Sequence, residues 1–155
     1  MSEFLFNFVG FTLLGAVAIV LVMGIYTLFK GGNTSKKYAN KLLANQIVIG
    51  GFSQGCMISL QTGIKRKDTI NSIIGYSGRI IDTEHLGKNI FSRPNIILMH
   101  GDVDQIVPVD SLLEAKDFFN KNNYKIESKI FKNCEHRIPS EGSSLGLQFI
   151  KKHLS

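Results

Sequence analysis

The chain has 155 residues, 44% of them hydrophobic, and 18 Lys and Arg against 12 Asp and Glu give it a net charge of +6. That length predicts one domain with room for an appendage. The positive charge includes no arginine-rich block and no basic run interleaved with aromatics, which argues against nucleic acid as a partner. Cys56 and Cys134 are too few and too far apart for a disulfide framework or a zinc site, and they fit a reducing compartment.

The first element expected is a membrane helix. Phe4 to Phe29 contain no charged residue, a run longer than the roughly 20 apolar residues that span a bilayer as a helix. Glu3 precedes it, and Lys30, Lys36, Lys37 and Lys41 follow. A secretory signal carries its positive charge before the apolar core and a small-residue cleavage site after it, so this order predicts a retained anchor. The positive-inside rule puts the N-terminus outside and everything after residue 30 in the cytoplasm, as a single-pass membrane protein. The lysines beside the membrane read as contacts to lipid headgroups.

Residues 31–45 begin as a Gly/Asn/Ser linker and turn toward a short helix. Lys30-Gly31-Gly32 followed by Tyr38-Ala39-Asn40-Lys41-Leu42-Leu43 resembles the hypoxia-induced-gene family of small membrane proteins, over residues 1–43. That family pairs a membrane helix and an Asn-Lys-Leu motif with a second membrane helix, whereas no second apolar run of spanning length follows here. The expected division is therefore a transmembrane helix at 1–30, a basic linker at 31–45 and a soluble part at 46–155.

Gln46 to Leu60 reads as a buried strand through Ile47, Val48 and Ile49, a tight turn, and a helix. The turn is Gly51-Phe52-Ser53-Gln54-Gly55, a G-x-S-x-G pattern. A serine on a sharp strand-to-helix turn needs neighbours without a Cβ, because the helix crosses close to the strand. The helix N-terminus behind it favours negative charge that develops near the hydroxyl. Taken alone, the same residues also fit a plain glycine-rich turn with a surface serine.

Farther on, Cys56 to Gly63 is helix-like, and Ile70 to Ile81 holds a β-rich run ending near Ser77-Gly78. Asn95 to Met99, after Pro94, reads as a buried parallel strand. Asp110 to Asn120 is helical, with a cap in Val109-Asp110-Ser111 and an apolar face of Leu112, Leu113, Ala115, Phe118 and Phe119. Lys125 to Phe131 alternates like a half-exposed strand. Ser143 to Leu154 closes as an amphipathic helix through Leu145, Leu147, Phe149, Ile150 and Leu154. The order strand, helix, strand, strand, helix, strand, helix is that of an α/β fold with a parallel sheet.

Chemistry-bearing residues follow two of these strands. His100-Gly101-Asp102-Val103-Asp104-Gln105-Ile106-Val107-Pro108 comes after Asn95–Met99, and Asn133-Cys134-Glu135-His136-Arg137-Ile138 after Lys125–Phe131. Open α/β sheets place their sites at the C-terminal ends of strands. In isolation Asp104 would read as a turn carboxylate and His136 as a surface histidine. His100 reads as a structural residue at a strand end, and His85 and His153 as solvated.

Together, Gly-Phe-Ser-Gln-Gly, His-Gly-x-x-Asp-x-x-Val-Pro and the terminal His-x-Ile resemble the phospholipase/carboxylesterase family of α/β hydrolases, which includes acyl-protein thioesterases, over residues 46–154. The resemblance implies Ser53 as nucleophile, Asp104 as acid and His136 as base, with Asp102 as the local rival to Asp104. It implies acyl transfer from a small-molecule or lipid carboxylic ester, or a thioester, to water, with no cofactor or metal. The backbone N–H of Gln54 would be one oxyanion donor. The second comes, in this fold, from a loop well before the elbow, where the chain instead carries the apolar run. The sequence is thus expected to form a truncated α/β hydrolase, the C-terminal part of the sheet with its helices, with the elbow strand left as an apolar edge. The order of segments suggests the start of a small membrane protein joined to the end of an esterase. The alternative is a non-catalytic membrane protein with a vestigial hydrolase tail.

Overall fold

The computed structural model describes residues 43–154. The apolar run 4–29 and the hypoxia-induced-gene resemblance over 1–43 lie essentially outside them. Among the described residues no helix is long and apolar enough to cross a membrane.

After a short 3-10 turn at Ala44–Gln46 come β1 (Val48–Phe52), α1 (Gln54–Gly63), β2 (Ser72–Tyr76), α2 (Thr83–Gly87), β3 (Asn95–Gly101), α3 (Asp110–Lys121), β4 (Glu127–Phe131) and α4 (Ser140–Leu154). The strands pair in parallel in the order β1-β2-β3-β4. Sequential strands are therefore neighbours, and each parallel connection crosses over the sheet.

The pleat sorts side chains to two cores. Ile73, Ile96 and Leu98 join Cys56 and Leu60 of α1 and Leu112, Ala115, Phe118 and Phe119 of α3. Ile74, Tyr76, Ile97 and Met99 face the other way, onto Phe131 and Phe149 of α4. β2 and β3 read as continuous apolar runs because both faces are covered. β1 is half-buried along its length, with β2 as its partner among the described residues. β4 is mostly exposed, as its alternation suggests.

Several expectations are corrected. α3 buries Leu112, Ala115, Phe118 and Phe119 but leaves Leu113 exposed. The stripe runs at i, i+3, i+6 and i+7, and Leu113 falls off it. Its N-cap, Val109, has no side-chain cap. On α4 the buried positions are Gly142, Gly146 and Phe149, while Leu147 and Leu154 are exposed. The helix lies close to the sheet at its glycines, where the Tyr76 hydroxyl donates to Gly142 O at 3.1 Å. α2, absent from the sequence reading, is opened by Asp82, whose carboxylate accepts from His85 N–H at 2.8 Å. His85 is exposed as expected. His153 is not, because its ring packs 4.5 Å from that of Phe149.

The strand-to-helix crossing behind Ser53 depends on one of the two motif glycines. A Cβ on Gly51 would land on the backbone of Gly55 and 2.7 Å from Cys56 N, whereas a Cβ on Gly55 would meet nothing within 4 Å. Gly51→Ala is therefore expected to destabilise by about 3 kcal/mol, and Gly55→Ala, inside a helix, to stabilise by ~0.5–1 kcal/mol. Denaturant midpoints of the two variants test this; a Gly51→Ala midpoint equal to wild type would mean the crossing is not tight.

Candidate active site

Ser53 occupies the turn between β1 and α1 with φ 53° and ψ −118°, a left-handed backbone that costs energy for any residue with a Cβ. Two hydrogen bonds hold it there. Its N–H donates to Tyr76 O at 2.8 Å, and its carbonyl accepts from Met57 N–H at 3.2 Å in the first turn of α1. Ser53 is half-buried. Gln54 opens the helix, so its N–H belongs to the helix-start amides that have no partner within the helix.

Asp104 sits in the loop after β3 and is 6% exposed. Its Oδ1 accepts from the N–H groups of Ile106 and Val107, both at 2.9 Å, which closes the turn on the carboxylate itself. Its Oδ2 accepts from His136 Nδ1 at 2.7 Å. Burial pushes this carboxyl up. The hydrogen bond from His136 and those from Val107 and Ile106 outweigh it and hold the carboxyl below its ordinary value. With Nδ1 donating, the neutral His136 ring presents a free lone pair at Nε2, the form a general base needs. The imidazole stands 4.6 Å, centroid to centroid, from the ring of Phe52, the residue before Ser53.

The loops after β3 and β4 are joined to each other as well as to the imidazole. Asp102 N–H donates to Phe131 O at 3.0 Å and Val103 N–H to Cys134 O at 3.2 Å. A Cβ on Gly101 would come 2.7 Å from the Cys134 carbonyl carbon, so this strand end requires glycine. Asp102, the rival acid, is exposed and accepts from Cys134 N–H at 3.4 Å. It ties the loops together, and Asp104 is the one that meets the histidine. His100 is buried and its Nε2 lies 2.8 Å from Val107 O and 3.5 Å from Asp104 Oδ2, so it braces the acid loop, in keeping with a structural role.

A groove of about 410 Å³ runs along β4 to the start of α4, lined by Lys129, Phe131, Lys132, Arg137 and Glu141 among others. Its lining includes none of Ser53, Asp104 and His136. Both cysteines are buried and free, and burial pushes the Cys56 thiol up to about 12, which makes it a packing group. Among the described residues no group of three or more His, Cys, Asp and Glu could hold a metal ion. Sequence reading passed over Phe52 as the wall beside the imidazole, Gly101 as the crossing point, and Ser77, left-handed at φ 46° with a buried hydroxyl that has no partner among the described residues.

Because the folded-state pKa of Asp104 lies below its unfolded value of about 3.9, the charged carboxylate stabilises the fold above that value. The contribution disappears as pH falls through the folded pKa. Thermal melts of wild type and Asp104→Asn from pH 7 to pH 3 should show the variant less stable at neutral pH and the gap closing toward acid. A gap constant with pH would remove the charge from the account.

Comparison with known proteins matches residues 32–155 to the phospholipase/carboxylesterase family, a match that starts inside the stretch read as a linker. Acyl-protein thioesterase 1 of Saccharomyces cerevisiae is 36% identical over 120 residues, covering 71% of this chain and 51% of that protein. Its namesake in Yarrowia lipolytica is 34% identical over 118 residues, covering 72% and 48%. The chain thus spans about half the length of the curated relatives it matches. The crystal structure of esterase PE8 superposes with a TM-score of 0.72 at 30% identity, over 77% of this chain and 56% of that one. SOBER1 of Arabidopsis thaliana, at 18% identity, shares the fold with a TM-score of 0.73, over 92% of this chain and 63% of that one. With its parallel sheet, its elbow and its family match over 32–155, the chain belongs to the phospholipase/carboxylesterase family of α/β hydrolases.

Proposed function

We propose that this protein hydrolyses carboxylic esters or acyl thioesters through Ser53, His136 and Asp104. The observation that carries the reading is the 2.7 Å hydrogen bond between His136 and the buried carboxylate of Asp104, with the imidazole against the residue that precedes Ser53. The relatives named as esterase and acyl-protein thioesterases support the reaction class.

In this mechanism Ser53 Oγ attacks the acyl carbonyl carbon while His136 Nε2 takes the hydroxyl proton. The proton then passes to the departing alcohol or thiol, leaving an acyl ester on Ser53. Water, deprotonated by the same nitrogen, attacks that ester, and the carboxylic acid leaves as Ser53 recovers its proton. Asp104 holds the ring with Nδ1 protonated and stabilises the imidazolium that forms in each half. The Gln54 N–H, at the positive end of α1, stabilises the oxyanion. A second donor in the family's manner would come from a loop before the elbow. A hole short of one donor reacts on the order of 10²–10³ slower.

The full chain treated with a fluorophosphonate probe should label at Ser53. Labelling should vanish in Ser53→Ala and slow by roughly 10²–10⁴ in His136→Gln. Labelling that persists in Ser53→Ala would exclude it as nucleophile. The run 4–29 is proposed as a single-pass membrane anchor, with the part that follows it on the cytoplasmic side, on the strength of its length and of the lysines that follow it. Alkaline carbonate extraction should leave the protein in the membrane pellet, and recovery in the supernatant would dismiss the anchor.

A further inference from the structure

β4 ends the described sheet, with β3 as its partner on one side. Phe131 O accepts from Asp102 N–H, so the main-chain groups of Phe131, Lys129 and Glu127 turn toward β3. Those of Ser128 and Ile130 turn outward, because alternate residues of a strand direct their peptide groups to opposite sides. They have no strand partner among the described residues, and an edge of that kind accepts an added strand. The groove of about 410 Å³ lies along this edge. Lys129, Ile130, Phe131 and Lys132 all line it, although successive side chains of a strand point to opposite faces. What four consecutive residues present in common is the main chain on the open side of the strand.

The lining is positive. Lys129, Lys132 and Arg137 stand against one carboxylate, Glu141, and Glu141 is already taken by Lys129 at 3.0 Å. Lys132 and Arg137 are exposed, with no ion pair or side-chain hydrogen bond among the described residues. A second copy of the chain laid on this edge would bring like charges together, which is unfavourable. A lipid headgroup would satisfy the cations but not the outward row of main-chain groups. An extended peptide that carries carboxylates satisfies both. Arg137 directly follows His136 in the chain, so the groove reaches the residue next to the candidate base.

We propose that the groove docks an acidic, extended peptide segment, which adds to β4 as a further strand. Its main chain pairs with Ser128 and Ile130, and its carboxylates meet Lys132 and Arg137. The identity of that segment rests on the acyl-transfer reading above, in which it is the stretch of a protein substrate that flanks the acylated residue. The docking itself does not, since the groove includes none of Ser53, Asp104 and His136.

Fluorescence anisotropy of the full chain in a neutral detergent tests this with three labelled peptides that carry no acyl group. One alternates Glu with Val, the second alternates Lys with Val, and the third is the Glu peptide methylated at every amide nitrogen. The Glu peptide should saturate the protein and weaken with added salt, and the other two should bind about tenfold or more less tightly. Lys132→Glu combined with Arg137→Glu should weaken the Glu peptide by about tenfold or more at an unchanged melting temperature. Should that variant melt lower, Lys132→Gln and Arg137→Gln decide singly, each about threefold weaker. Equal affinity for the Glu and Lys peptides, or a Glu peptide indifferent to the variants, overturns the proposal. Methylation without effect overturns the added strand. Binding of glycerophosphoserine where the Glu peptide does not bind assigns the groove to lipid headgroups and overturns it too. Fluorophosphonate labelling of Ser53 measures acyl transfer separately. A labelled wild type with no affinity for the peptide therefore defeats the docking alone, and peptide binding without labelling defeats the acyl-transfer reading alone.

Discussion

The carboxylate of Asp104 is the point at which two loops, from different strands, are made to agree. Four groups converge on it: the N–H groups of Ile106 and Val107, the His136 ring, and the His100 ring at longer range. A buried charge is tolerated only when its lone pairs are satisfied, so the bonds from His136, Val107 and Ile106 also keep the group ionised. His136 gains its orientation from this. Without the carboxylate no hydrogen bond among the described residues would distinguish Nδ1 from Nε2, and the ring would lose the tautomer that leaves Nε2 free. The loops reinforce the arrangement through backbone bonds between Asp102 and Phe131 and between Val103 and Cys134.

The three candidate residues were legible because each carries a local signal. Ser53 sits in a Gly-x-Ser-x-Gly turn, Asp104 just ahead of Val107-Pro108, and His136 past the last strand. Parallel sheets collect such loops at one end whatever lies between them. The β2 and β3 cores were legible for a similar reason, since strands covered on both faces read as unbroken apolar runs. What escaped depends on contacts between distant residues. The need for glycine at 101 comes from the Cys134 backbone, 33 positions away in the chain, and that at 146 from Tyr76. A hydrophobic pattern registers neither, because a glycine face attracts by proximity. Gly55 shows the reverse, as the motif marks it but nothing lies within 4 Å of its Cβ direction. Ser77 was read only as the end of a strand, since an orphaned hydroxyl becomes apparent only once the register of β2 against its neighbours is known.

That the chain spans about half the length of its relatives (51% and 48% for the two yeasts' thioesterases) bears unevenly on the site. The three candidate residues, Ser53, Asp104 and His136, follow β1, β3 and β4, in a sheet whose strand order is the order of the chain. The pairing of β1 with β2, β2 with β3 and β3 with β4 needs only the connections inside this stretch, so the hydrogen bonds around Asp104 form within it. The oxyanion hole differs. The proposed donor at Gln54 belongs to the elbow, and the other belongs in this fold to an earlier loop. Orientation of His136 and stabilisation of an oxyanion are therefore separable here.

The strain at Ser53 locates the structural weight of the site. A left-handed residue with a side chain persists only where its surroundings leave no alternative. For Ser53 those surroundings are β2 and α1: Tyr76 accepts its N–H, Met57 donates to its carbonyl, and Gly51 lets α1 cross at backbone contact. α1 is in turn seated on β2, where a Cβ on Gly75 would collide with the Cys56 thiol. Cys56 is thus the peg that sets the height of the helix above the sheet, and its raised thiol pKa of about 12 marks how thoroughly water is excluded there. Among the described residues the elbow is held mainly from the β2 side, so the rigidity of Ser53 depends on the same strand end that carries Tyr76 and Ser77. Changes at that strand end should be felt at Ser53 before they are felt at His136.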